Sequence, residues 1–515
     1  MTTTAHRVTV PAQPVAALPA AWRACVGTGR TREVLHADYR DSLAVVQDEI
    51  GFGATRAHGI LHDDMGLVRP WSHRDAAGTR YGFAYVDLVI DTWLDAGTAP
   101  FLELGFMPAA LASGEQTQFW WRANVTPPRD HAAWADLVRA LLRHLVQRYG
   151  VEAVRGWPVE VWNEPNLPVF WSGDEAAYHR LYDVTARAVK EVDAAIPVGG
   201  PAVSPGADDW LPRFAAHVAE TGVPCDFVSK HAYTSGPAQH VPFGVHQTLR
   251  PPQELLDQLA TPRALLAGTA LAGLPVHITE YSSSYRPDNP VHDTAYQAAY
   301  LAPVLAGGGD HVDSFSYWTL CDVFEEEGVP SAPLHGGFGL LGHRQLRKPA
   351  FHLYAFMARL GPAVLARGVD HLVTRHPDGR VCALLWQPLD GTAIAGGGHQ
   401  VRLSVPGGGS AAVTQRHVDA ERGNVRTAWQ AMGSPLAPDR RALADLHDAA
   451  APSVTVRRVH AVEGRWEVDV ALGRHGIALV EIAGAPDEAP PWLDERRLLG
   501  ADVPADAPVA AGGAA

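Results

Sequence analysis

The chain has 515 residues, more than a single hydrophobic core usually organises, so more than one domain is expected. Its composition, 47% hydrophobic and 19% charged, is that of a globular protein, and a net charge of −14 with no dense Lys/Arg stripe excludes a nucleic-acid footprint. No window approaches about 18 uninterrupted apolar residues, which excludes a membrane span by a helix.

Cys25, Cys225, Cys321 and Cys382 are scattered with no C-x-x-C pair, a pattern that fits buried thiols in a reducing compartment better than two bridges. The start, Met1 to Val8, has no apolar signal region. A cytoplasmic protein acting on short, imported substrates is therefore expected.

Arg7–Val10 reads as a β-strand preceding the main fold. From about residue 16 to Leu360, apolar strand-like runs alternate with helix-like segments. The strands are Arg23–Val26, Ala54–His58, Pro100–Leu104, Pro158–Trp162, Ile196–Gly199, Phe227–His231, Val276–Thr279 and Ser314–Trp318. Between them, Tyr39, Leu43, Val46 and Ile50 recur at helical spacing, as do Trp134, Leu137, Val138, Leu141, Leu142 and Leu145. A third helical stripe runs from Tyr178 to Val192, with Asp174 as its cap. Eight strand–helix alternations predict an α/β protein whose parallel sheet closes into a (β/α)8 barrel over 16–360. Gly199-Gly200-Pro201 reads as a turn at the end of the fifth strand, with no phosphate-loop fingerprint.

After Leu360 the pattern changes to short strands broken by turn signals: His371–Arg375, Val381–Trp386, Gln400–Val405, Ala412–His417, Ser453–Val459 and Arg465–Val470. This predicts an accessory β-sandwich over 361–490, to which residues 1–15 add a strand. Asn424 to Ala449 reads as a small, partly helical insertion. Residues 491–515, rich in Ala, Pro and Asp, read as a disordered tail.

Two strand endings carry the chemistry. Val159-Glu-Val-Trp162 is followed by Asn163 and Glu164, and Pro165 stops the strand there; Val276-His-Ile-Thr279 is followed by Glu280. A parallel barrel displays its working groups at the carboxyl ends of its strands. Either glutamate alone is most simply a surface residue, but as a pair they are what glycoside hydrolysis needs, one acid/base and one nucleophile. Such a site calls for no cofactor and no metal, and no His/Cys/Asp/Glu spacing suggests one.

Further motifs lie along the chain: Thr55-Arg-Ala-His58, Asp63-Asp64, Phe101-Leu-Glu-Leu104, Asn124-Val-Thr-Pro-Pro128, Trp162-Asn-Glu-Pro-Asn166, His231-Ala-Tyr233, His277-Ile-Thr-Glu-Tyr281, Asn289-Pro-Val-His-Asp-Thr294, Ser314-Phe-Ser-Tyr-Trp318, Asp322-Val-Phe-Glu-Glu326 and His335-Gly-Gly-Phe-Gly339. In these residues, over about three hundred positions and in the same order, the chain resembles glycoside hydrolase family 39 and, within it, the bacterial β-D-xylosidases. The resemblance implies a retaining enzyme that releases xylose from the non-reducing end of xylosides and short xylo-oligosaccharides. The acid/base, Glu164, would follow strand four and the nucleophile, Glu280, strand seven. It maps Glu325 and Glu326 onto glutamates that bind the sugar's distal hydroxyls, although a run of charge is usually a solvated face. It also suggests association into a homo-oligomer.

Around the pair, Asn163 suits a hydrogen bond to the sugar 2-hydroxyl, or else simply forms the turn before Pro165. His58 and His231, each at a strand end of one barrel face, read as sugar contacts rather than satisfied core histidines. Tyr233, two residues beyond His231, is placed to orient Glu280, with Tyr285 a looser candidate. Trp318 would floor the pyranose ring. Trp120-Trp121 and Phe170-Trp171 either stack on an aglycone or cover the barrel mouth. Asp63 and Asp64 either join the sugar site or form a loop.

Two other readings remain. One is a different family 39 glycosidase, such as an α-L-iduronidase, a β-glucosidase or an arabinosidase. An iduronate carboxylate needs a cation in the pocket. Lys230 alternates with His231 and faces away from the interior, and no other Lys or Arg at a strand end clearly substitutes. The last is a non-catalytic carbohydrate-binding barrel, disfavoured because both carboxylates are present.

Overall fold

The structure, a computed structural model, describes residues 6–68, 81–241, 244–389, 398–486 and 488. Eight parallel strands close into a barrel in sequence order: Val26–Arg30, Ala54–His58, Ala99–Leu104, Val159–Val161, Val198–Val203, Phe227–Tyr233, Val276–Ser282 and Ser314–Tyr317. The eighth strand pairs with the first through Tyr317 and Val26, which seals the cylinder. Helices Ala37–Glu49, His131–Tyr149 and Glu175–Val192 cover it where apolar spacing placed them. Asp174 caps the last of these, its carboxylate accepting from the Ala177 amide at 2.7 Å.

Two strands differ from their sequence readings for steric reasons. The first begins at Val26 rather than Arg23, and its Gly27 and Gly29 mimic a loop. A Cβ at Gly27 would come within 2.3 Å of the Trp318 ring, so the glycine there is required by packing. The fifth strand continues to Val203, and Gly199-Gly200-Pro201 lies inside it rather than in a turn. A Cβ at Gly199 would meet the Phe227 carbonyl at 2.3 Å.

Beyond the barrel lie two further sheets. The smaller joins His6–Thr9, His399–Pro406 and Arg465–Leu472, with the N-terminal strand parallel to its neighbour. The larger has seven strands, in the order Ala16–Ala17, Ala363–Arg367, His371–Arg375, Val381–Trp386, Ile477–Gly484, Ser410–Val418 and Ser453–His460. Ala16–Ala17, expected at the start of the barrel, thus pairs with Ala363–Val364 in this sheet.

The central strand Ile477–Gly484 was not read from the sequence. Its six residues from Ile477 to Ile482 are all buried, because it lies between two strands and is covered on both faces. Ala478, Val480 and Ile482 pack toward the small sheet with Val401, Leu403 and Val468. Ile477 and Leu479, with Leu372, Leu384 and Trp386, join the hydrophobic cluster of the barrel itself.

The insertion folds as helices Val425–Ala431 and Arg440–Ala450, whose Val425, Leu446 and Ala450 pack on Leu334 and Leu346 near the barrel mouth. All four cysteines carry free thiols, and no helix among the described residues is long and apolar enough to cross a membrane. The tail expected over 491–515 lies outside the described residues.

Candidate active site

Side chains alternate along each barrel strand, so inward-facing residues are two apart. On the second strand these are Arg56 and His58, both buried; on the sixth they are His231 and Tyr233. After the fourth strand the chain turns sharply. Trp162 and Glu164 have φ of 72° and 43°, left-handed values uncommon for these residues and concentrated at functional sites. Hydrogen bonds hold the turn, from the Glu164 amide to the Ala202 carbonyl (3.0 Å) and from the Trp162 indole to the Phe170 carbonyl (2.8 Å).

Glu280 lies opposite His231 across the pairing of strands six and seven. Its Oε1 accepts from Arg56 Nη1 at 2.9 Å, and its Oε2 accepts from the Tyr233 hydroxyl at 2.7 Å. Glu164 Oε1 pairs with His231 Nδ1 at 2.9 Å. One carboxylate oxygen of Glu164 and one of Glu280 lie within 4.8 Å of each other.

The two carboxyl groups occupy different electrostatic settings. Burial, followed by the negative charge on Glu280, pushes Glu164 well above the ordinary glutamate range. Burial, and then the charges of Arg56, His58 and Lys230, push His231 well below its usual value, so its ring is neutral. Burial and Glu280 raise Tyr233, which keeps its proton and donates it.

Arg56 is the hub beneath them. Its Nε donates to Glu160 at 2.6 Å, and its Nη2 reaches Glu103 at 2.9 Å and the Asn163 carbonyl oxygen at 3.0 Å. Burial opposes its charge, but Glu160, Glu103 and Glu280 outweigh burial and keep it firmly protonated. Glu103 also binds His58 Nδ1, and His58 Nε2 lies 3.4 Å from Glu280 and 3.9 Å from Glu326.

A cavity of about 620 Å³ opens over these groups. His58, Asn163, Glu164, Tyr233, Glu280, Trp318 and Glu326 line it, with Phe119, Leu167, Val169, Phe170 and Tyr285. Trp318 packs against His58, ring centroids 4.7 Å apart. Burial, then Glu280 and Glu33, push Glu326 well above the usual carboxyl range.

Other expected residues lie elsewhere. His231, though bonded to Glu164, is fully buried and does not line the cavity. Glu325 does not line it either; its carboxylate accepts from Arg30 Nη2 at 2.9 Å. Asp64 takes Arg30 Nη1 at 2.8 Å, and Asp63 accepts from the Ala109 amide, so both organise loops. Tyr285 accepts from the Ala238 amide, with no bond to Glu280. Of the paired aromatics, Phe170 lines the cavity, Trp121 and Trp171 are buried, and Trp120 is exposed.

Sequence reasoning overlooked Arg56, Phe119 and two cations near the mouth. Arg30 ends the first strand, and Arg286 lines the cavity. Arg30 is held by Asp64 and Glu325, and Arg286 by Asp288 and Glu327. Lys230 is taken by Asp208. The signal for Arg56 was present, since it stands two residues before His58 and so shares its face. A cation among Glu164, His231 and Glu280 would meet the Arg56 guanidinium already bonded to Glu280.

A (β/α)8 barrel with two buried carboxyl groups facing each other, Glu164 just after strand four and Glu280 near the end of strand seven, which runs past Thr279 to Ser282, defines the class: a glycoside hydrolase. Comparison with known proteins agrees. The model of glycosyl hydrolases family 39 matches residues 6–467. A β-xylosidase of Geobacillus stearothermophilus is 44% identical over 479 residues, 92% of this chain and 94% of that one. Among solved structures, the GH39 enzyme from Xanthomonas axonopodis pv. citri superposes with a TM-score of 0.87 at 30% identity, covering 94% of this chain and 98% of that one. A structure described as a monomeric β-xylosidase from Caulobacter crescentus CB15 gives 0.84 at 31% identity, covering 94% and 100%. The chain belongs to glycosyl hydrolases family 39.

Proposed function

We propose that the protein is a retaining β-D-xylosidase that removes xylose from the non-reducing end of short xylo-oligosaccharides and aryl xylosides, with Glu280 as nucleophile and Glu164 as acid/base. The observation that carries the mechanism is the approach of the two carboxylates to within 4.8 Å, near the spacing of about 5–5.5 Å used by retaining enzymes and short of the 6.5–9.5 Å that leaves room for an inverting water. The choice of sugar rests on the 44% identical β-xylosidase.

In this reading Glu280, held by Arg56 and Tyr233, attacks the anomeric carbon as a carboxylate. Glu164, kept protonated by burial, delivers its proton to the leaving oxygen and then takes one from water as the covalent intermediate is hydrolysed. The Asn163 amide faces the 2-hydroxyl, and Trp318 floors the ring. His58 and Glu326 address the remaining hydroxyls.

Among the described residues, the cations near the mouth are engaged by carboxylates: Arg30 by Asp64 and Glu325, Arg286 by Asp288 and Glu327. That arrangement favours a neutral sugar over a uronate. The barrel carries the chemistry and the accessory sheets support it. Cytoplasmic action and self-association complete the proposal; a light-scattering mass equal to one chain would remove the latter.

The test is trapping with a 2-deoxy-2-fluoro-β-D-xyloside bearing a good leaving group. It should inactivate the enzyme and label Glu280, while NMR of normal turnover should show β-xylose formed first. A label on another residue would overturn the assignment, and α-xylose as first product would overturn retention. Aryl α-L-iduronides turned over as fast as xylosides would overturn the sugar.

A further inference from the structure

Far from Glu164 and Glu280 in sequence, three histidines converge on one aspartate between the two accessory sheets. The Asp370 side chain is fully buried. Its Oδ2 pairs with His6 Nδ1 at 2.6 Å and with His399 Nε2 at 2.7 Å, and its Oδ1 pairs with His371 Nδ1 at 2.7 Å. His6, His371 and His399 are each the first residue of a strand. His6 pairs in register with Val401, which sets His399 one side-chain repeat away on the neighbouring strand. These two come from the small sheet, whereas Asp370 and His371 come from the large one.

The support is rigid. The Asp370 carbonyl accepts from the Trp386 amide at 3.0 Å, and the His371 carbonyl accepts from the Gly368 amide at 2.9 Å. A Cβ at Gly368 would stand 2.4 Å from His371 Cε1, so only glycine lets the ring lie there.

Charge balance is the second observation. A buried carboxylate is normally paired with a cation. Among the described residues, however, no Lys or Arg forms an ion pair with Asp370; only the three imidazoles do. Two of these imidazoles, His6 and His371, together with the carboxylate are a three-donor set suited to zinc and its neighbours rather than to calcium or magnesium, with a water to complete four-coordination. Donor atoms of His6, Asp370 and His371 all lie within 4.8 Å of one another. With bonds of about 2.0–2.2 Å, an ion replacing the shared protons would widen the present contacts by under about 1 Å. Each ligating imidazole would carry its proton on the other nitrogen, His399 would keep its hydrogen bond to Asp370 Oδ2, and the partly exposed His6 leaves a path to solvent.

We propose that His6, Asp370 and His371 form a zinc-binding site that ties the N-terminal strand to the larger accessory sheet, with His399 bracing the Asp370 carboxylate. Sequence spacing gives no hint of it, because His6 stands 364 residues before its Asp370 partner.

The test uses the full chain without a histidine tag, stripped by chelator. Calorimetric titration with Zn²⁺ should saturate at one ion per chain and raise the melting temperature by several degrees. Co²⁺ should give visible absorption bands typical of a four-coordinate site. His6→Gln and His371→Gln, alone and together, should abolish the cobalt bands and the zinc-dependent melting shift while leaving xyloside turnover unchanged. If the double variant fails to fold, His6→Gln alone makes the same comparison. A stripped wild type that takes up no zinc would overturn the proposal. So would variants that bind zinc with unchanged stoichiometry and melting shift.

Discussion

Arg56 and Glu280 form an ion pair inside the barrel, Nη1 to Oε1 at 2.9 Å, with the arginine wholly buried. The same guanidinium holds Glu160, Glu103 and Asn163. One side chain therefore fixes the direction of the proposed nucleophile and of the residue expected at the sugar 2-hydroxyl, and balances two carboxylates that never meet substrate.

Arg56→Met should leave those carboxylates buried without their cation, at a cost of about 3–5 kcal/mol. Urea unfolding should show the loss as a lower midpoint, and xyloside turnover should fall with it. Arg56→Lys keeps the charge, but a single ammonium cannot reproduce the planar fork, so it should recover part of the stability and little of the turnover. An unchanged midpoint in Arg56→Met would contradict the hub role.

Glu164→Ala should slow xylosides with poor leaving groups most, since only these need a proton to depart; general acid assistance is worth about 10²–10⁴-fold. Azide should restore turnover of an activated aryl xyloside and yield β-xylosyl azide. Equal losses for good and poor leaving groups, without azide rescue, would assign the acid elsewhere.

The proposed acid, Glu164, can serve only while protonated, and burial raises its folded-state value. Turnover of a poor-leaving-group xyloside should therefore hold through the ordinary carboxylate range and fall as pH rises through that raised value. A pH profile that declines from pH 4 to 5 upward would show Glu164 ionised too early for the role.

Glu326 offers a stability counterpart. Its folded-state value is raised by burial and by Glu280, so the unfolded chain gives up this proton first as pH increases. The stability contributed by the protonated form is full below the unfolded value and is lost as pH rises toward the folded one. Glu326→Gln does not titrate. Its melting temperature should match wild type near pH 4 and exceed it increasingly up to pH 8. A constant difference across that range would mean that burial does not govern Glu326.

Lys348, fully buried, bonds Asp293 at 2.7 Å, Asp322 at 2.6 Å and the Gly337 carbonyl at 2.8 Å. Lys348→Met would strand Asp293, in the segment after strand seven, and Asp322, in the loop after strand eight that leads to Glu326. We expect a loss of about 3–5 kcal/mol by chemical denaturation and weaker substrate binding. Wild-type stability in this variant would mean that the aspartates find other partners.

The barrel was legible because its strands and helices keep separate periods, and Glu164 and Glu280 stand out as charges closing apolar runs. What escaped notice did so for definite reasons. Gly27 and Gly29 look like loop residues until Trp318 and Glu33 are seen packed against them. Ile477–Gly484 lacks alternation because both its faces are covered. Glu325 and Glu326 are adjacent and chemically identical, so only the fold could turn one to Arg30 and the other to the cavity. Arg56 could have been found from its spacing to His58. Its three carboxylate partners, on three other strands, could not.

The seven-stranded sheet gives one face to the small sheet and the other to the barrel, through Leu372, Leu384, Trp386, Ile477 and Leu479. No residue of it lines the cavity. Even so, a barrel cut free at Leu360 would present a large apolar wall to water, and the remaining sheets would do the same on their side. Heating should therefore give one cooperative transition instead of two, and tolerance to temperature can be altered from a sheet that never touches the sugar.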